Sequence, residues 1–184
     1  ADANEVVEAW RTVTRLRHEP AAMILSRQAV PTLDRSVLAS AEGVSRGGYV
    51  LADTDGQPDV ILIATGSEVS LALSARKELA ADSILARVVS LPCWELFDRQ
   101  PPSYREAVLP SSVPARVAVE QASTLGWDRY VGDHGKVVGM HTFGASAPLK
   151  ALESKFGFTP DAVADTARQC VEATRTARES ANPR

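Results

Sequence analysis

Little in this sequence offers a ready handle for chemistry. Of 184 residues only two are cysteine, Cys93 and Cys170, and they form neither a CxxC pair nor a cluster with histidine. A disulfide between them stays open, but two structural thiols in a reducing compartment is the better reading. The three histidines, His18, His134 and His141, show no HxxxH or HExxH spacing, which argues against a metal site. GxGxxG, the GKS or GKT of a P-loop and the GxSxG nucleophile elbow are all missing. No apolar run approaches the roughly 20 residues of a membrane span. The opening ADANEVVEAW has no basic region followed by an apolar core, so it does not read as a signal peptide. It lacks methionine and starts in mid-pattern, which points to a piece of a longer protein. A net charge of −3 gives no electrostatic footprint for nucleic acid or an anionic membrane.

What is present is organised around Asp59–Ser70, DVILIATGSEVS. Val60 to Ala64 form a continuous apolar run of strand length. Such a run suits a strand buried on both faces of a parallel sheet. Thr65-Gly66-Ser67 turns the chain. Thr65 with Glu68 predicts a capping box, and Val69, Ala72, Leu73 and Leu79 continue at helical spacing.

Upstream, residues 5–18 predict an amphipathic helix through Val6, Trp10 and Val13, capped by Asp2 or Asn4 and ended by Pro20. Ala21 to Leu25 predict a strand that delivers Ser26, Arg27 and Gln28 at its end. Residues 29–45 carry no periodicity and read as a linker. Residues 1–28 then read as the tail of a preceding domain, and 46–184 as a complete one. That domain opens with a strand at Gly48–Asp53. The Asp55-Gly56 turn sends it back beside Asp59–Ala64 as an antiparallel neighbour. Strands follow at Leu85–Leu91, Ala115–Glu120 and Lys136–Met140. Trp94–Pro102 is irregular with a turn of helix. Helices are expected near Ser103–Leu109, Trp127–Val131 and Ala147–Phe156. A last helix starts at Thr159-Pro160-Asp161 and frays from Ala177. The class is α/β: a mostly parallel sheet with one antiparallel edge strand, flanked by helices in three layers.

The chemical candidates each have a plain alternative. The Thr65-Gly66-Ser67 turn could offer backbone N–H groups to a phosphate. With a single glycine it reads better as a tight strand-to-helix connection. Arg27, at a predicted strand end, could hold a phosphate through paired charge-assisted hydrogen bonds, or simply form a surface or interdomain ion pair. His18 ends the first predicted helix, where a cation suits the dipole. Glu120 ends a strand and could act as acid or base, though a solvated or helix-capping carboxylate is the simpler role. Trp94, Phe97, Trp127 and Tyr130 read as core or interface aromatics rather than a stacking platform. The residues alone therefore describe an α/β domain without a complete active site.

Longer strings carry more. ADANE before a Trp-bearing helix, ILSRQAVPTL, GGYVL, DVILIATGSEVSLAL, ARVVSLPCWELFDRQ, YREAVLP, VAVE and FGASAPLKALESKFGFTPDAV occur in order across nearly the whole chain. Together they resemble the C-terminal part of the transketolase family. The QAV at Gln28–Val30 departs from the QNLP or QALP of many members and leaves the arginine in place.

That resemblance implies a parent enzyme with thiamine diphosphate and Mg2+ (or Ca2+ or Mn2+), moving a two-carbon ketol unit from a ketose phosphate to an aldose phosphate in the pentose phosphate pathway. It implies a cytoplasmic homodimer with upstream thiamine-binding domains. Residues 1–28 would be the end of the pyrimidine-binding domain. Residues 46–184 would be the third domain, with a mixed five-stranded sheet. One position carries over as functional: Arg27, matching the family's arginine for the substrate phosphate. The resemblance places no catalytic, cofactor-binding or metal-binding residue in this chain, so no cofactor is expected on it and the chain alone is expected to be inactive. Two alternatives remain: the third domain of another thiamine-dependent enzyme (a deoxyxylulose-phosphate synthase or a 2-oxoacid dehydrogenase subunit), or a stand-alone anion-binding regulatory module. Apolar surface around Trp10 and Val13 should invite self-association.

Overall fold

The structure, a computed structural model, describes residues 1–181. The chain opens with a helix, α1 (Ala3–Val13), and runs without regular structure to a 3-10 helix at Ala41–Arg46. β1 (Tyr49–Ala52), β2 (Val60–Ala64), α2 (Glu68–Ala81) and β3 (Ala86–Ser90) follow. Two short helices, α3 (Trp94–Asp98) and α4 (Pro102–Val108), lead to β4 (Arg116–Ser123). α5 (Asp128–Val131), β5 (Lys136–Met140), α6 (Leu149–Phe156) and α7 (Pro160–Ala181) complete it.

The five strands lie in the order β1-β3-β2-β4-β5. All neighbours are parallel except β1 and β3. The expected edge strand is therefore β1, but its neighbour differs from the hairpin expected of the Asp55-Gly56 turn. β3 stands between β1 and β2. The physical reason lies in β2. All five of its residues are 0% exposed, so it needs a strand on either side as well as cover on both faces. β3 and β4 take those two edges in parallel.

Successive side chains of a strand point to opposite faces. Val60, Leu62 and Ala64 join Val69, Ala72, Ala75 and Leu79 of α2, and Val163, Ala164 and Ala167 of α7. Ile61 and Ile63 join Phe97 of α3, Val108 of α4, and Trp127, Tyr130 and Val131. The alanines where α2 and α7 meet let the two helices approach closely. The second face is filled by aromatics instead. Trp94 stands edge-on to Trp127 at 5.0 Å and to Tyr130 at 5.2 Å, a favoured geometry. These aromatics are structural, as their sequence context indicates.

The N-terminal region differs from expectation at the end of α1 and at Ala21–Leu25. α1 ends at Val13 rather than residue 18, so His18 lies exposed beyond it and meets no helix dipole. Ala21 to Leu25 form no strand, and Ile24 is 96% exposed. A strand needs a neighbour to satisfy its backbone, and the described residues place none there. Within the stretch read as a linker, the 3-10 helix buries Ala41 and Val44 in the core. It ends at Gly47 with φ +82°, where a Cβ would collide with the carbonyl of Cys93 and the amide of Phe97. At the other end, α7 stays helical through Ala181, past the predicted fraying point. Residues 182–184 lie outside the described residues.

A buried polar network docks α1 on the sheet. Asp2 caps the helix by accepting from the amide of Glu5 at 3.0 Å. It also accepts from the amide of Leu33 at 2.9 Å and from Arg35 Nη2 at 2.8 Å. Burial pushes the Asp2 carboxyl up, but these donors outweigh it and hold it low. Arg35 Nη1 donates to the Tyr49 hydroxyl at 2.9 Å, and that hydroxyl donates to Glu5 Oε1 at 2.7 Å. Ser90 Oγ donates to the same oxygen at 2.7 Å. Glu5 is 3% exposed and is matched donor by donor.

Two substitutions separate these two supports. Leu62→Ala empties the first core face and should cost about 2–5 kcal/mol in urea denaturation. Tyr49→Phe leaves Arg35 and Glu5 each short of a partner and should cost about 1–3 kcal/mol.

Candidate functional site

The strand order creates one crevice by topology. The chain leaves β2 toward β3 on one side, while β4 adds on the other. Between the C-terminal ends of β2 and β4 the connections part, which is where doubly wound sheets place ligands. Thr65-Gly66-Ser67 after β2, and Glu120 and Gln121 on β4, furnish this crevice.

Its hydrogen bonds differ from the predicted capping box. Thr65 Oγ1 donates across to Glu120 Oε2 at 3.0 Å. α2 has Ser67 at its N-cap with no side-chain cap bond, and Ser67 Oγ donates to Glu68 Oε1 at 2.7 Å. Glu68 is thus turned inward, at 4% exposure, rather than reaching back over the helix start. Glu120 neither ends its strand nor caps a helix. β4 runs on to Ser123, with an irregular register against β5 after Glu120.

Burial drives the Glu68 carboxyl above the ordinary glutamate range and repulsion from Glu120 adds to this, while the Ser67 bond opposes it. Burial likewise raises Glu120, against the Thr65 bond. An anion at the start of α2 would face both carboxylates. Gly66 holds φ +49°, yet a Cβ there would meet nothing. Its positive φ serves the backbone turn. The geometry suits the tight strand-to-helix connection that the single glycine predicts.

The sequence's other candidate comes near this crevice. Arg27 is exposed in a bend. Gln28 to Pro31, directly after it, line a cleft of about 380 Å³ together with Ser67, Ser70, Ser74 and Gln121. The structure therefore brings the segment after Arg27 beside the turn after β2, a proximity that no sequence spacing announces. The histidines do not converge: His134 and His141 are exposed on separate loops. No group of three or more His, Cys, Asp or Glu among the described residues could hold a metal ion. Both cysteines are free, Cys170 buried and Cys93 half-buried, and burial raises both thiols, so neither is an activated nucleophile. Sequence reasoning missed the inward turn of Glu68, because Thr65 and Glu68 match a capping pattern and the competing partner, Glu120, is 55 residues from Thr65.

Fold and crevice together define a doubly wound α/β domain whose switch point is lined by two carboxylates. Residues 47–159 match the family described as the transketolase-like C-terminal domain. The chain belongs to the transketolase family. It is 51% identical to the transketolase of Aquifex aeolicus over 165 residues, covering 90% of this chain and 24% of that protein. It is equally identical to that of Mycobacterium tuberculosis over 179 residues, covering 94% and 25%. Among solved structures, transketolase from Leishmania mexicana superposes with a TM-score of 0.86 at 41% identity, over 94% of this chain and 24% of that one. A Pichia stipitis transketolase gives 0.87 at 39%, over 96% and 25%. The chain spans about a quarter of the length of the curated relatives it matches.

The raised Glu68 carboxyl has a definite sign in stability. A carboxyl whose folded pKa lies above its unfolded value stabilises the fold below about pH 4.3 and loses that contribution as pH rises through the folded pKa. Glu68→Gln, which still accepts from Ser67, should therefore melt above the parent at pH 8. That gain should shrink to nothing at pH 4, as followed by thermal circular dichroism.

Proposed function

We propose that this chain serves as the end of the pyrimidine-binding domain (1–28), a linker (29–45) and the third domain (46–184) of a transketolase. The whole protein would be a transferase moving a two-carbon ketol unit from ketose phosphate to aldose phosphate in the pentose phosphate pathway. The observation that carries this reading is the match to transketolases over nine-tenths of the chain. Pichia stipitis transketolase has been solved in complex with xylulose 5-phosphate and with sedoheptulose 7-phosphate, which supports sugar phosphates as the substrate class.

Within that reading Arg27 binds the substrate phosphate. Its exposure leaves the guanidinium available, and its planar fork suits a phosphate bidentately. The family's thiamine diphosphate and magnesium ion do not fit the residues of this chain. The one helix start at the switch point faces Glu68 and Glu120, and the described residues gather no metal-ligand cluster. No chemical step is therefore assigned here. The chain's part is to position Arg27 and to support the domains that hold the cofactor. Two free thiols agree with a cytoplasmic setting, and no helix among the described residues is long and apolar enough to cross a membrane. α1 leaves Trp10 at 55% and Val7 at 50% exposure, which suits a face covered by the upstream domain or by the second subunit of a homodimer.

In the complete protein, Arg27→Ala should raise KM for ketose phosphate by about ten- to a hundredfold, the worth of one charge-assisted pair, and leave kcat nearly constant. An unchanged KM would remove Arg27 from the phosphate site. The chain alone, supplied with thiamine diphosphate, magnesium ion and both sugar phosphates, should give no ketol transfer in a coupled assay. Measurable turnover would overturn the assignment of the chemistry to other domains.

A further inference from the structure

At the start of β4, away from Glu120, lies a second cleft, of about 440 Å³. Arg116, at the start of the strand, and Glu120 are four residue steps apart, about 13 Å. Three guanidinium groups from three different elements line this cleft: Arg105 on α4, Arg116 at the start of β4 and Arg129 on α5. Of the acids beside them, Asp98 is paired with Arg129, which a ligand must share with it, and Glu106 is held by Ser111. Asp98 pairs with Arg129 at 2.7 Å and accepts from the Tyr130 hydroxyl at 3.1 Å. Glu106 Oε1 accepts from the amide and hydroxyl of Ser111 at 2.8 and 2.7 Å.

Arg116 is the unusual member. It is half-buried, and every hydrogen bond it makes goes to a main-chain carbonyl. Nε donates to Val113, Nη1 to Tyr130, and Nη2 to both Leu109 and Pro110. These carbonyls orient the side chain without cancelling its charge. They use four of the five guanidinium N–H groups, leaving one on Nη1. Burial lowers the pKa of Arg116, against the attraction of Glu106, as expected for a cation with no bonded carboxylate. Arg105 is exposed and forms no salt bridge with another described residue. The cleft thus carries three cations and two anions in a protein whose net charge is −3.

We propose that this cleft is a binding site for phosphate-group dianions, with Arg116 as its fixed base and Arg105 and Arg129 as the exposed arms. Planar guanidinium forks match phosphate oxygens in pairs, and the volume leaves room for a small group esterified to the phosphate. The site is separate from Arg27 and stands whether or not Arg27 binds substrate.

The test titrates the purified chain with inorganic phosphate, ribose 5-phosphate and adenosine monophosphate, followed by amide chemical shifts. Saturable shifts are expected at residues 97–110 and 116–130, with Kd on the order of 1 mM. Equal affinity for all three would assign free phosphate as the ligand. Tighter binding of the esters would assign a phosphate monoester, and both results support the site. Arg116→Gln loosens the loop before β4 and need not fold, so the deciding variants are on α4. Arg105→Gln should weaken binding about tenfold, and Arg105→Glu should abolish it, with unchanged circular dichroism. Arg27→Gln should leave these titrations as they are. Three results would each overturn the proposal: no saturable shift through about 10 mM of any probe, an Arg105→Glu variant that binds like the parent, or a loss of binding in Arg27→Gln.

Discussion

Burying β2 on both faces and along both edges is the constraint from which the other features follow. Five residues with no exposure leave water on neither side of the strand. That demands two helical layers, so α2 and α7 cover one face while α3, α4 and α5 with the aromatic cluster cover the other. It also demands two neighbours, and β3 and β4 supply them through connections that leave in opposite directions. The crevice between Thr65 and Glu120 is a by-product of that centrality. So is the demotion of β1 to the edge, where an antiparallel strand with half-exposed Val50 can sit.

Charge is distributed unevenly along β4. Its C-terminal half brings Glu120 against the inward carboxylate of Glu68, and its first residue is a guanidinium wrapped in carbonyls. Parallel sheets usually favour anions near the C-terminal ends of their strands, where helix N-termini point. Here two acids occupy that place and reverse the local preference. The cluster of guanidinium groups lies instead at the start of β4. Fold analogy alone would assign the opposite polarity, because it counts helix ends and not the side chains set in front of them.

Much of the fold was legible in the sequence because its signals are local. VILIA is a run that only a doubly covered strand can use, and Thr159-Pro160 marks a helix start that stands in the structure. The crossover of β3 was not legible. Asp55-Gly56 has hairpin chemistry, and which strand lies beside β1 depends on the edges of β2, not on the turn. Ala21–Leu25 has strand composition without a strand, because a strand is a property of two segments. The same limit governs the sites. Glu5 and Ser90 share a hydrogen bond across 85 residues, and Arg105, Arg116 and Arg129 converge from three elements with no common spacing. Arg27 entered as a strand-end candidate, and the resemblance selected it, but the strand that was to deliver it does not form. Nothing in its own neighbourhood distinguishes it from an ordinary surface arginine.

The network around Asp2 has a mechanical side. Asp2 and Glu5 weld α1 to the sheet, and the Leu33 amide and Arg35 weld the chain again on the far side of the irregular stretch 14–32. Glu19 is pinned to Arg99 between them at 2.8 Å. Arg27 therefore rides on a tether fastened at both ends. Its closure entropy is met once, on folding, and not at each encounter with a ligand. The segment directly after it, Gln28–Pro31, is held beside the turn after β2. A lengthened stretch between Glu19 and Leu33 would loosen that hold without altering a single contact in the sheet.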